Sequence, residues 1–232
     1  MSSKLILILI ALTFIDCSET IVENDSDRLG WQYFPAELGA YRIYSVNEIR
    51  YSLVGAEEST YELRESIVDS VSNNEIIDLI IHRETRVNEN EEWELDSVWT
   101  AKIDPYRAIL IENNIALVKL SFPLINENIW DGNAFNSRSE DIYRYELSLA
   151  DTTLNNHLYT DLWTVVQSDL GEDFLGRNDR SEVYAAHVGM IIKEEIVWEY
   201  CQTDCSEDKQ IVNGRELYQS LISYGNLIDE NE

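Results

Sequence analysis

The sequence predicts a mainly β protein: a single domain built on one strongly curved antiparallel sheet, a barrel or half-barrel, with few helices. Three observations carry this. Apolar and polar residues alternate with a period of two through most of the chain, turn residues interrupt the runs at meander spacing, and no strand–helix–strand rhythm appears. The chain has 232 residues, 44% of them hydrophobic and 26% charged, which suits one globular domain. A continuous antiparallel sheet of that size is expected to curl into a barrel or half-barrel.

Three segments divide the chain. Residues 1–16 have the form of a signal peptide, with Lys4 ahead of an apolar run from Leu5 to Ile15. That run falls well short of the ~20 residues a membrane-spanning helix needs. Residues 17–30 are acidic, lack hydrophobic periodicity and read as a flexible tether. The folded domain is expected over 31–228. It opens with Trp31, Tyr33 and Phe34, followed by a turn at Pro35 and Gly39.

The strands follow in order. In "EWELDSVWTAKID" the alternation puts Trp93, Leu95, Ser97, Trp99, Ala101 and Ile103 on one face. "IALVKLSF" sets Ala116, Val118, Leu120 and Phe122 against Leu117, Lys119 and Ser121. "IYRYELS" alternates Tyr143, Tyr145 and Leu147 with Arg144 and Glu146, and "VYAAHVGMII" reads as one strand with Tyr184, Ala186, Val188, Met190 and Ile192 on one side. "VNENEE" and "ENN" (112–114) separate strands, while "NG" at 213–214 is the strongest hairpin signal. It precedes "RELYQSLISY", read as the last strand with helix as the alternative; "DTTLNNHLY" is a helical turn or a loop. Pro105 and Pro123 lie at strand ends, where a missing N–H does least harm. The expectation is about ten strands. Six Trp and thirteen Tyr suit a wide core or an aromatic-lined concavity.

Charge and cysteine usage bound the function. Lys and Arg total 17 against 44 Asp and Glu, a net charge of −27. Such a surface offers no basic patch to a nucleic acid, and it keeps the protein soluble and monomeric. Export favours thiol pairing, so Cys201 and Cys205 in "CQTDC" are expected to form a local disulfide. Cys17 is then left over, directly after the apolar run.

The stretch ending "LTFIDC" resembles a bacterial lipoprotein signal, with Phe14 and Asp16 where that pattern has Leu and a small residue. The resemblance implies diacylglycerol on the Cys17 thiol and an outer-membrane anchor, with the domain facing the periplasm or the surface. "YFPAELGAYRIYSV", "LSFPLINENIWDGN", "EVYAAHVGMIIKE" and "SLISYG" resemble landmarks of Bacteroidota-type outer-membrane lipoproteins. That resemblance implies a β-rich exported domain and brings no catalytic signature. The curved sheet is similar to lipocalin-like binders and lipoprotein carriers at the level of fold alone.

Candidate chemistry is sparse. His82, His157 and His187 form no zinc pattern, and no nucleophile elbow, Walker loop or dinucleotide fingerprint occurs. No cofactor is expected; Asp169, Glu172, Asp173 and Asp179 in "SDLGEDFLGRND" are candidate Ca²⁺ ligands weighed against a plain hairpin loop. Trp130 in "NIWDGN" is a core anchor or a ligand-contacting aromatic. The reading is a non-enzymatic, membrane-tethered lipoprotein that binds or carries a small ligand. The alternatives are an envelope protein that docks another protein, and a hydrolase with dispersed carboxylates.

Overall fold

The computed structural model describes residues 29–73, 75–148, 151–203 and 205–228. The signal segment, Cys17 and the tether up to residue 28 lie outside them. A short 3₁₀ turn, Trp31–Tyr33, leads into the long strands β1 (Ala40–Ser52), β2 (Gly55–Asn73), β3 (Ile76–Arg86) and β4 (Glu94–Asp104). The meander continues through β5 (Arg107–Glu112), β6 (Ile115–Ser121), β7 (Ile129–Asp131) and β8 (Ile142–Ser148). A small hairpin, β9 (Thr152–Leu154) and β10 (His157–Tyr159), precedes β11 (Leu162–Glu172), β12 (Gly176–Ala185), β13 (Gly189–Tyr200) and β14 (Ile211–Asn226).

Twelve strands form one antiparallel sheet in the order β6-β5-β4-β3-β2-β1-β14-β13-β12-β11-β8-β7. The two edge strands, β6 and β7, come from adjacent stretches of chain, and the sheet curls until they nearly close a barrel. The seam is held by single bonds rather than a ladder. The Val118 N–H donates to the Gly132 carbonyl at 2.9 Å. The Trp130 indole N–H donates to the Val118 carbonyl at 2.9 Å. The Tyr145 hydroxyl accepts from the Ser121 N–H at 2.8 Å and donates to the Ser121 carbonyl at 2.9 Å. Curling removes the exposed edges that an open sheet of this width would present.

The interior divides along the barrel axis. At the end where the chain enters β1, Trp31, Phe34 and Ala36 pack on a core that includes Ile67, Leu79, Ile103, Phe122, Tyr143 and Tyr145. The turn segment is tied there by the His187 N–H, which donates to the Gln32 carbonyl at 2.7 Å. On the barrel wall the β9–β10 hairpin folds against β14. Asn155 donates its amide to the Leu221 carbonyl at 2.9 Å, and Tyr159 packs near Tyr224.

Several local expectations are corrected. The period-two reading of β4 holds for Trp99, Ala101 and Ile103, which are buried. A bulge opposite Arg83 and Glu84 shifts the register, so the inward phase does not extend back to Trp93 and Leu95. Trp93 sits beneath two guanidinium groups, Arg64 at 4.7 Å and Arg86 at 4.3 Å from its ring. "VYAAHVGMII" is a hairpin rather than one strand. β12 ends at Ala185, β13 begins at Gly189, and His187 takes φ 63° in the turn. "DTTLNNHLY" is the β9–β10 hairpin, with Asn155 and Asn156 both at positive φ, the conformation a tight two-residue turn needs. "NG" at 213–214 lies inside β14 and makes no hairpin. "RELYQSLISY" is strand, in register with β1 and β13.

Candidate functional site

The other half of the barrel is charged. The ends of β1 to β6 remote from the entry turn, with β13 and β14, surround a cavity of about 1100 Å³, bordered by residues such as Arg50, Glu57, Arg86, Glu94, Glu112 and Arg215. Below it lies a smaller chamber of about 60 Å³, reached past Arg83, Trp99, Glu112, Lys193 and Gln219, which line both. Among the described residues eight Lys and Arg and nine Asp and Glu border the two spaces, although the chain carries 17 of the former and 44 of the latter. Cations scarce elsewhere are therefore concentrated in the barrel interior.

The charges are held in pairs. Glu48, buried on β1, meets Arg50 at 2.9 Å and Arg215 at 3.6 Å. Arg215 also reaches Glu195 at 2.5 Å. Arg83 donates to Glu65 at 3.1 Å and lies 3.8 Å over the Trp99 ring. At the floor, Lys119 donates to Glu182 at 2.5 Å and to Glu112 at 3.4 Å, and the Tyr184 hydroxyl donates to Glu182 at 2.7 Å. Lys193 stands 3.7 Å from Glu182, an ion-pair distance too long for a hydrogen bond.

These pairings set the protonation states. Burial pushes the Glu182 carboxyl up, but Lys119, then Lys193, and hydrogen bonds from Lys119 and Tyr184 outweigh it and pull it down to about 2. Burial pushes the Lys119 ammonium down, yet Glu182 and Glu112 raise it well above its ordinary value. Burial, together with Glu182, raises Tyr184, and burial followed by Glu48 raises Tyr61. At neutral pH the floor therefore holds the charged Glu182 carboxylate and Lys119 ammonium beside a neutral Tyr184 phenol.

The anticipated site residues fall elsewhere. Trp130 is half-buried at the seam, its ring 4.5 Å from Tyr145 and 6.0 Å from Tyr143, and it borders neither space. Cys201 and Cys205 are joined by a disulfide between β13 and β14. Asp169, Glu172, Asp173 and Asp179 are spread through the β11–β12 hairpin, each with its own partner. Asp169 pairs with Arg144 at 2.8 Å and Glu172 with Lys209 at 2.5 Å. Asp173 accepts from the Leu175 N–H at 2.7 Å, and Asp179 accepts from the Gly171 N–H at 2.7 Å and from Arg177 at 2.6 Å. Among the described residues no group of three or more His, Cys, Asp or Glu is placed to hold a metal ion. Cys17 lies outside the described residues.

Sequence reasoning missed Arg83, Lys119, Glu182 and Lys193. A signal existed. Arg83 continues the inward phase of Leu79 and Ile81, and Glu182 shares the phase of Tyr184, so charged residues stood at core-facing positions of an otherwise acidic chain.

No family model matches the chain, and no curated protein matches it. Among solved structures it has a weak likeness to three proteins. A Bacteroides fragilis protein assigned as exported, with a YmcC-like fold, aligns at TM-score 0.45 and 9% identity over 84% of this chain and 99% of that one. A Parabacteroides distasonis protein assigned as a lipoprotein aligns at TM-score 0.37 and 11% identity, over 83% and 98%. A Vibrio parahaemolyticus domain assigned to outer-membrane lipoprotein sorting aligns at TM-score 0.21 and 8% identity, over 82% and 86%. Likeness at this level is too coarse to define an activity. No helix among the described residues is long and apolar enough to cross a membrane.

Proposed function

We propose that this protein is an exported lipoprotein, monomeric and anchored to the outer membrane through a lipid on Cys17, whose barrel binds a polar small molecule without transforming it. One observation carries the binding reading: a cavity of about 1100 Å³ in the barrel, lined mostly by charged and polar side chains. Small-molecule sites occupy roughly 300–1,000 Å³. A carrier of acyl chains would need an apolar lining. Here the aromatic mass of Trp31, Trp130, Trp163, Tyr143 and Tyr145 packs at the opposite end and at the seam. Export and anchoring are supported by the signal-like segment 1–16 and the leftover cysteine.

Native mass spectrometry of the protein extracted from its own envelope tests the binding reading. A retained small-molecule mass that is lost on denaturation is the expected result; a bare polypeptide mass would overturn it. Cys17→Ser tests the anchor separately. The variant should leave the membrane fraction, and a variant that stays there would remove the lipid from the account.

A further inference from the structure

The two chambers differ in sign. The deep one is bordered by four cations, Arg42, Arg83, Lys119 and Lys193. Three carboxylates, Glu65, Glu112 and Glu182, face them, which leaves one positive charge in excess inside a protein of net charge −27. Around the outer cavity the balance reverses. Beyond the residues shared with the deep chamber it has the bases Arg50, Arg86, Arg138 and Arg215. Six acids, Glu48, Glu57, Glu91, Glu92, Glu94 and Asp96, outnumber them by two.

A second, independent observation falls at the junction. The Trp99 indole N–H and the Gln219 amide N–H₂ are buried, and neither has a hydrogen-bond acceptor among the described residues. Both residues are more than nine-tenths buried and both line the two chambers. Gln219 pairs across the sheet with Lys193, whose ammonium has no hydrogen-bonding contact with Glu182 at 3.7 Å. An unsatisfied buried donor costs stability, and proteins retain few of them. Two such donors, next to an ammonium with bonding capacity to spare and below a net-negative vestibule, call for an acceptor that carries negative charge. The outer carboxylates in turn suit a cation at the ligand's other end and repel polyanions.

We propose that the barrel binds a small zwitterion of the amino-acid or short-peptide class, its carboxylate lowered to Trp99, Gln219 and Lys193 and its ammonium held among the outer carboxylates. This rests on the ligand-binding reading above and narrows it to one chemistry.

Calorimetry and thermal unfolding of the intact protein at low salt test it, with dialanine, dialanine methyl ester and N-acetyl-dialanine as probes at millimolar concentration. Dialanine should bind and raise the melting temperature, and each blocked probe should bind at least about tenfold more weakly, the scale of one lost charge-assisted hydrogen bond. The double variant Trp99→Phe/Gln219→Met removes both donors but keeps the ring beneath Arg83. It should match or exceed the melting temperature of the parent protein and lose dialanine affinity by at least about tenfold. An ester that binds as well as dialanine overturns the inward carboxylate, and an N-acetyl probe that does so overturns the zwitterion. A double variant that melts lower yet keeps its affinity assigns the two donors to structure and overturns the proposal. If dialanine does not bind but native mass spectrometry finds another retained molecule, the zwitterion falls and the binding barrel stands; if neither is seen, both fall.

Discussion

The Lys119 ammonium lies 2.5 Å from a Glu182 carboxylate oxygen, with both side chains almost fully buried at the border of the deep chamber. β6 and β12 are not neighbours in the sheet, so the pair spans the barrel interior. Removing one partner strands the other's charge in a poorly solvated place, and such breaks typically cost about 3–5 kcal/mol. Lys119→Met should therefore destabilise the protein by about that much, less whatever Lys193 recovers for Glu182. Lys119→Met/Glu182→Gln should be more stable than Lys119→Met, because the stranded Glu182 charge is gone and the remaining Glu112 carboxylate and Lys193 ammonium attract each other. Urea unfolding of the parent protein and the two variants measures this; a double variant less stable than Lys119→Met would show that Glu182 contributes stability through Lys193 and Tyr184 even without Lys119.

The same pair dictates a pH dependence. The Glu182 carboxyl is held below its ordinary 4.5, at about 2, so its ionisation favours the folded state. That contribution is complete above the ordinary value and is lost as pH falls through the folded one, over roughly pH 5 to 2. The raised Lys119 ammonium contributes fully below its ordinary 10.5 and is lost only at strongly alkaline pH. Urea midpoints should change little on account of this pair between neutral pH and about pH 6, then drop in acid. Glu182→Gln should flatten the acid drop, and an unchanged acid slope in that variant would assign the effect to other carboxylates.

Trp130 closes the barrel. Its indole donates across the seam to the Val118 carbonyl, and its ring packs on Tyr145 and Tyr143. Trp130→Ala should cost about 3 kcal/mol, at the low end for a large aromatic because the residue is only half-buried. Trp130→Phe keeps most of the packing and should cost about 1 kcal/mol for the lost hydrogen bond. Hydrogen exchange at the Val118 amide, which bonds to Gly132, should accelerate more in the alanine variant than exchange in β1. Equal acceleration everywhere would mean global destabilisation without seam opening.

Gly214 is required by a close approach rather than a turn. It has φ +140°, and a Cβ there would collide with the Val197 carbonyl oxygen and the Trp198 Cα. Both contacts are backbone and cannot step aside cheaply. Gly214→Ala should destabilise by about 1–3 kcal/mol, the usual cost of overpacking, read as a lower urea midpoint. A neutral substitution would show that the local pairing of β13 with β14 relaxes freely.

Much of the architecture was legible because strand periodicity is local. Trp99, Ala101 and Ile103 share a face for the reason the alternation implies, and "ENN" and "VNENEE" do separate strands. Periodicity failed where a bulge changed the phase. Trp93 and Leu95 lost the inward phase at the shift opposite Arg83 and Glu84, and the shift between Ala108 and Ile109 let Lys119 and Leu120, adjacent in sequence, both be buried. A bulge depends on the partner strand, which no single segment encodes. Asn213-Gly214 failed for a related reason: a glycine at positive φ serves a hairpin or a close packing contact equally well, and only the position of Trp198 distinguishes them.

The sequence by itself determined a β-rich acidic domain, a curved antiparallel sheet and the pairing of Cys201 with Cys205, since alternation, turn chemistry, composition and short-range spacing are properties of neighbours in the chain. The tertiary structure alone decided that Arg83, Lys119, Glu182 and Lys193 meet around one cavity, and that Trp130 serves the seam. Those residues come from strands far apart in sequence, and their contacts exist only once the sheet has curled, because curvature, not local propensity, brings one wall of a barrel within reach of the other.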